Sequence, residues 1–152
     1  MEPARKRDLL QATALALPAP IAVLTLGDPL FIGLWYYLAI PAFIIGTGLL
    51  MKAPPPYLTG ASLTVAAAFF VYMMVNYTAT RPEGLLGLGH LCSIPGGAIG
   101  HLLGLVLARR HAVAIPMLAL GAFGWGAGFF LNNLVICNTV MYCGPLSLKA
   151  LL

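Results

Sequence analysis

Charge is what this chain has least of. Its 152 residues include four acids and eight bases, 8% charged in all, where a water-soluble domain carries about 25%. The acids are Glu2, Asp8, Asp28 and Glu83, and the bases are Arg5, Lys6, Arg7, Lys52, Arg81, Arg109, Arg110 and Lys149. All of them read as boundaries of long apolar runs, so no run of bilayer length holds an ionised side chain. That excludes a soluble globular domain. It also argues against membrane enzymes, pumps and proton-coupled transporters, which hold an acid or base at depth. Histidine and cysteine are scarce as well, three of each. There is no Cys-x-x-Cys pair to suggest a thiolate metal site or a disulfide oxidoreductase, and no phosphate-binding loop or dinucleotide glycine fingerprint. No internal repeat is evident. The net charge of +4 comes from boundary bases, which suit anionic lipid headgroups better than nucleic acid.

What the chain does have is apolar length: 61% of its residues are hydrophobic. Five uncharged runs, 9–27, 29–51, 57–80, 84–108 and 111–135, each reach or approach the roughly 20 residues that an α-helix needs to cross a bilayer. The expectation is a single all-α membrane domain over 1–152. It is an up-and-down bundle of five transmembrane helices in sequence order, joined by very short links and followed by an outer tail, 137–152. The first run is the weakest, and the alternative is four spans plus an interfacial N-terminal helix. With its basic start and the small residues Ala14 and Ala16, that run also resembles a secretory signal, but it continues past Pro18 and Pro20 to Gly27, which favours a retained anchor. The two prolines predict a kink. With five spans, six bases (Arg5, Lys6, Arg7, Lys52, Arg109 and Arg110) fall on the amino-terminal side against two, Arg81 and Lys149, on the other. The positive-inside rule then gives N-in/C-out. Richness in Ala, Gly, Leu and Pro points to a bacterial cytoplasmic (inner) membrane.

Small residues recur at helical spacing. Gly96, Gly100 and Gly104 repeat every four residues, as do Gly89, Ser93 and Gly97 one step round the helix, and Gly124 with Gly128 does the same in the fifth run. Such spacing lets two backbones approach closely, so the fourth and fifth helices are expected to pack together. Trp35, Tyr36 and Tyr37 fall well inside the second run and point in different directions, so at least one ring should face protein. Asn76, Asn132, Asn133 and Asn138 gather near the outer ends of the third and fifth runs, either as an outer polar patch suited to recognition or as interfacial caps. Cys137 and Cys143 are spaced to close a small disulfide on the outer side, leaving Cys92 as a small buried residue.

His90 and His101 are eleven residues apart, only about 20° from three full turns, so they share one face and stand about 16 Å apart along the helix. That is the geometry by which a b-type cytochrome helix holds two haems. Two bis-histidine haems need four imidazoles, however, and the third histidine, His111, lies at the boundary beside Arg109 and Arg110. The first expectation is therefore no metal and no cofactor, with both imidazoles hydrogen-bonded inside the bundle, and haem b electron transfer through His90 and His101 is an alternative. Ser93 lies one turn from His90, a pairing that more often reflects packing than hydrolysis. With almost no mass in water, the protein is expected to act by intramembrane protein–protein association, not as an enzyme. It would be an accessory subunit of a membrane complex or an immunity-type protein against a membrane-targeting toxin. A small oligomeric pore is a third reading.

Overall fold

A computed structural model describes residues 2–79, 84–110 and 114–140. Among them the chain is helical, with no strand: α1 (Pro3–Ala16), α2 (Pro18–Leu26), α3 (Leu34–Leu50), α4 (Tyr57–Thr78), α5 (Gly84–Ala108) and α6 (Ala114–Val135), which continues into a π turn, Ile136–Val140. Four helical stretches are long and apolar enough to cross a membrane: Pro3–Leu26, Tyr57–Thr78, Leu85–Ala108 and Met117–Val140.

The first run differs from its expected boundaries. Its helix begins at Pro3, where a residue lacking an N–H loses nothing because the first turn leaves its donors unpaired. Asp8 therefore lies inside α1 and not at a boundary. It is 2% exposed, and its carboxylate accepts the N–H groups of Leu58 (3.2 Å) and Thr59 (2.8 Å) and the Thr59 hydroxyl (2.6 Å). These are first-turn donors of α4, which has no side-chain cap of its own, so α1 supplies the cap from outside. The break expected near Pro18 and Pro20 falls at Leu17. Neither proline can donate to the carbonyl four residues back, and the ladder resumes where Ile21 N–H reaches Leu17 O at 3.1 Å.

The second run is the one that falls short. Residues 27–33 form a loop instead of helix, which leaves α3 at 17 residues, about 26 Å long against a hydrocarbon core of about 30 Å. The loop folds round Asp28, whose carboxylate accepts Leu30 N–H (3.0 Å), Gly33 N–H (2.6 Å) and the Tyr37 hydroxyl (2.6 Å). Positive φ at Gly27 (91°), Phe31 (58°) and Gly33 (97°) turns the chain there. Trp35 is consequently in the first turn of α3 and 61% exposed, whereas Tyr36 and Tyr37 are buried. The three rings do not lie deep together, as the uninterrupted run implied.

The α1–α2 stretch, α3, α4, α5 and α6 alternate in direction, and apart from α5 with α6 the most extensive contacts join helices that are not neighbours in sequence. The most extensive contacts are α5 with α6, then α4 with α6 and α1 with α4. Helices running the same way lie side by side. Asp8 meets Leu58 while Tyr77 hydroxyl meets Gly27 O at 2.7 Å, so α1–α2 runs along α4 in constant register. The sequence-order bundle is thus corrected to one in which α4 and α6 lie at the centre. The reason is backbone proximity. A Cβ on Gly60 would lie 2.1 Å from Leu118 O, and one on Gly121 would lie 2.2 Å from Tyr57 O, so only glycine lets α4 and α6 come this close. One end of the bundle collects bases: Arg5 donates to Leu49 O at 2.9 Å, and Arg109 donates to Met51 O, both at the C-terminus of α3. There the guanidinium groups meet carbonyls at the negative end of the α3 dipole, where Leu49 O also accepts Lys52 N–H at 3.1 Å.

Candidate functional site

The seam between α5 and α6 brings together most of the small residues singled out above. A Cβ on Gly100 would lie 2.1 Å from Gly124 O, on Gly128 2.2 Å from Gly96 O, and on Gly96 2.4 Å from Gly128 O. On Gly104 it would lie 3.0 Å from Leu120 O, and on Gly97 it would strike the ring of Trp125. Ser93 is turned inward instead, its hydroxyl donating to Gly89 O at 2.7 Å. The α4–α6 contact through Gly60 and Gly121 is the one the spacing missed. The pair Gly60 and Thr64 carries the small-x-x-x-small signal that could have found it, since Thr64 donates to Ala122 O at 3.1 Å.

Both histidines face α3 in a shared register, His90 opposite Tyr36 and His101 opposite Thr47, each pair 54 residues apart in sequence. His101 is fully buried, with Nε2 at 3.0 Å from Thr47 Oγ1 and Nδ1 at 3.3 Å from the Tyr57 hydroxyl. Thr47 already donates its proton to Phe43 O at 2.6 Å, and Tyr57 donates to His101 O at 2.7 Å. The proton of His101 therefore sits on Nε2, which donates to Thr47, and Nδ1 faces the Tyr57 hydroxyl. His90, 1% exposed, shares a hydrogen bond between Nδ1 and the Tyr36 hydroxyl at 2.5 Å, and its Nε2 has no hydrogen-bond partner among the described residues. Four rings box it in: Phe69 stacked at 5.1 Å, Tyr72 edge-on at 4.5 Å, Phe129 at 4.9 Å and Tyr36 at 5.6 Å.

These residues do not fit a pair of haems. His101 Nε2 is engaged by Thr47 and Nδ1 is covered by the Tyr57 hydroxyl, and a macrocycle could reach His90 Nε2 only by displacing an aromatic wall. His111 lies outside the described residues. Among those described, no three His, Cys, Asp or Glu side chains converge as metal ligands. Ser93 does not engage His90, because its proton is held by Gly89 O and its oxygen accepts Asn133 Nδ2 at 3.2 Å.

The asparagines do not form an exposed patch. Asn76 and Asn133 are buried. Asn76 donates to Pro29 O, pinning the 27–33 loop to α4. Asn133 bonds the Tyr72 hydroxyl, Ser93 and Cys137 Sγ. Asn132 donates to Cys92 O at 2.8 Å, and Asn138 donates to Leu134 O at 2.7 Å. Cys137 is disulfide-bonded and Cys92 is a free thiol; Cys143 lies outside the described residues. Burial pushes the Asp28 carboxyl upward, but hydrogen bonds from Tyr37, Gly33, Leu30 and Ile32 together outweigh it and hold its pKa below the ordinary 3.8.

Among the described residues, apolar grooves open on the outside of the bundle at two places. The first, about 290 Å³, lies between α2 and α4 and is lined by Pro18, Ala22, Phe70, Met73, Met74 and Tyr77 among others. The second, about 420 Å³, runs along the exposed side of the α5–α6 pair. No known protein family, curated protein or solved structure matches the chain.

Proposed function

We propose that this is a small polytopic integral membrane protein, amino terminus inside, that acts by binding another membrane protein within the bilayer plane. Its partner is either the core of a membrane complex, to which it is an accessory subunit, or a membrane-targeting toxin that it disarms. The observation that carries this reading is the α2–α4 groove. It is walled by Phe70 and by Met73 and Met74, and thioether side chains adapt to the shape of whatever packs against them. It sits beside the proline break at Leu17, where the wall formed by α2 is a helix of only nine residues. Support also comes from the interior. Asp8, Asp28, both histidines and the buried asparagines bond to groups of the same chain, so what the described residues turn outward is apolar concavity, and of the two grooves this is the one with methionine walls.

A photo-crosslinking residue at Phe70 or Met74, with Leu38 on α3 as the control position, tests the reading in native membranes. One stoichiometric protein adduct from the groove positions and none from Leu38 is expected. Adducts to lipid alone from all three would refute it. An absorption spectrum of the purified protein separates off the haem alternative, and a Soret band with a reducible α-band would overturn the present assignment.

A further inference from the structure

The second groove has a length that selects its occupant. Its walls are Ile99, Leu103 and Leu107 on α5 and Leu120, Phe123 and Leu131 on α6, over a floor of glycine backbone. It runs from Leu107 to Gly96 on one helix and from Leu120 to Leu131 on the other. That is eleven residues in each case, or about 16 Å at 1.5 Å per residue. The hydrocarbon core is about 30 Å thick, so the groove is one leaflet deep, beginning at the base-rich end. A partner's transmembrane helix would run the full thickness and use only half its length here. An acyl chain is one leaflet long.

The mouth supplies the charge. Arg110 follows Leu107 by three residues and Leu103 by seven, and its N–H bonds Leu107 O at 2.9 Å, which continues the turn and keeps it on the groove-lining side of α5. Its neighbour Arg109 is occupied with Met51 O, whereas the exposed Arg110 guanidinium has no hydrogen bond or ion pair among the described residues. We propose that the α5–α6 groove holds one acyl chain of an anionic phospholipid from the base-side leaflet, with the lipid phosphate on Arg110. The α2–α4 groove is unsuited to the same ligand. Tyr77, which lines it, bonds Gly27 O, and the next residue is the Asp28 carboxylate, which repels a phosphate.

The site rests on the membrane reading above, and alkaline carbonate extraction distinguishes the two failures: a chain released from membranes refutes insertion, not the lipid. The direct test is native mass spectrometry of the detergent-purified protein with phosphatidylglycerol or phosphatidylcholine of identical chains added back. Wild type should retain one phosphatidylglycerol in about fivefold preference, the effect of one surface base on an anionic lipid. Arg110→Gln should abolish the preference while leaving phosphatidylcholine retention unchanged. Ala127→Phe, which fills the exposed groove without touching the glycine seam, should lower retention of both, and circular dichroism should show each variant fully helical. If Ala127→Phe is not helical, Ala127→Leu takes its place. Equal retention of the two lipids by wild type, a preference that survives Arg110→Gln, or displacement of the lipid by inorganic phosphate would each overturn the proposal.

Discussion

Replacing Gly100 with alanine isolates the energy of the α5–α6 seam, because the perturbation is one methyl group against one carbonyl. The added Cβ would lie 2.1 Å from Gly124 O, whereas ordinary contact begins at 3.4 Å, so the backbones must separate locally by about 1.3 Å. Neither atom can rotate away, since both belong to helix backbone or are fixed to it. Overpacking of this kind costs about 1–3 kcal/mol. Alanine also returns about 0.5–1 kcal/mol of helix propensity relative to glycine. The net expectation is a loss of roughly 0–2.5 kcal/mol, centred near 1. Gly46→Ala is the control, because a Cβ there meets nothing within 4 Å, and it should stabilise by about 0.4–1 kcal/mol. Reversible unfolding in mixed micelles, followed by circular dichroism and by the fluorescence of Trp125, whose ring packs on Gly97, measures both. If Gly100→Ala proves as stable as Gly46→Ala, the two helices do not approach as described and the reasoning fails.

Other substitutions probe the buried polar groups. Asp8→Ala removes the acceptor for the first-turn donors of α4 and should destabilise the same unfolding transition by about 1–2 kcal/mol, with Asp8→Asn intermediate; equal stability of all three would show that α1 does not cap α4. Tyr36→Phe strips His90 of its one hydrogen bond and should cost about 1–3 kcal/mol, read in the same micelles. Asp28 gives a pH dependence of definite sign. Its folded pKa is lowered, so its contribution to stability is complete above the ordinary 3.8 and is lost as the pH falls through the folded value. Trp35, whose Nε1–H donates to Ile32 O at 2.9 Å in the same loop, should report that loosening by fluorescence, and the acid-range change should vanish in Asp28→Asn.

Much of the helical architecture is readable from charge alone, because an ionised side chain in hydrocarbon is so costly that long uncharged runs mark the apolar helices. The third, fourth and fifth runs lie within a few residues of α4, α5 and α6. The rule fails where a carboxylate finds donors inside the protein. Asp8 was legible only as a boundary, since nothing local shows that the start of α4 lies fifty residues away waiting for an acceptor. Asp28 likewise looks like a one-residue link, yet its oxygens gather a loop that removes a turn from the start of α3. The glycine spacing in α5 and α6 named residues that do meet, because that pairing is antiparallel and local. Contact between α4 and α6 joins Gly60 and Thr64 to partners 58 residues away, and although their spacing marks a small-residue face, it does not say which helix that face meets. Of the asparagines at these helix ends, Asn76 and Asn133 turn inward, Asn76 to a loop carbonyl and Asn133 to buried side chains, while Asn132 and Asn138 are half-buried on helix carbonyls, and residue type alone does not separate the two pairs.

The centrality of α6 bears on biosynthesis. The helices that lie next to one another in the chain touch sparingly until α6 is present, apart from α5 itself. During translation α1 to α5 therefore emerge without the element that binds α4 on one flank and α5 on the other. A ribosome paused before residue 114 would hold a chain in which α1 can already meet α4 but both of the most extensive contacts are missing, so closure of the bundle becomes a late event triggered by the arrival of a single helix.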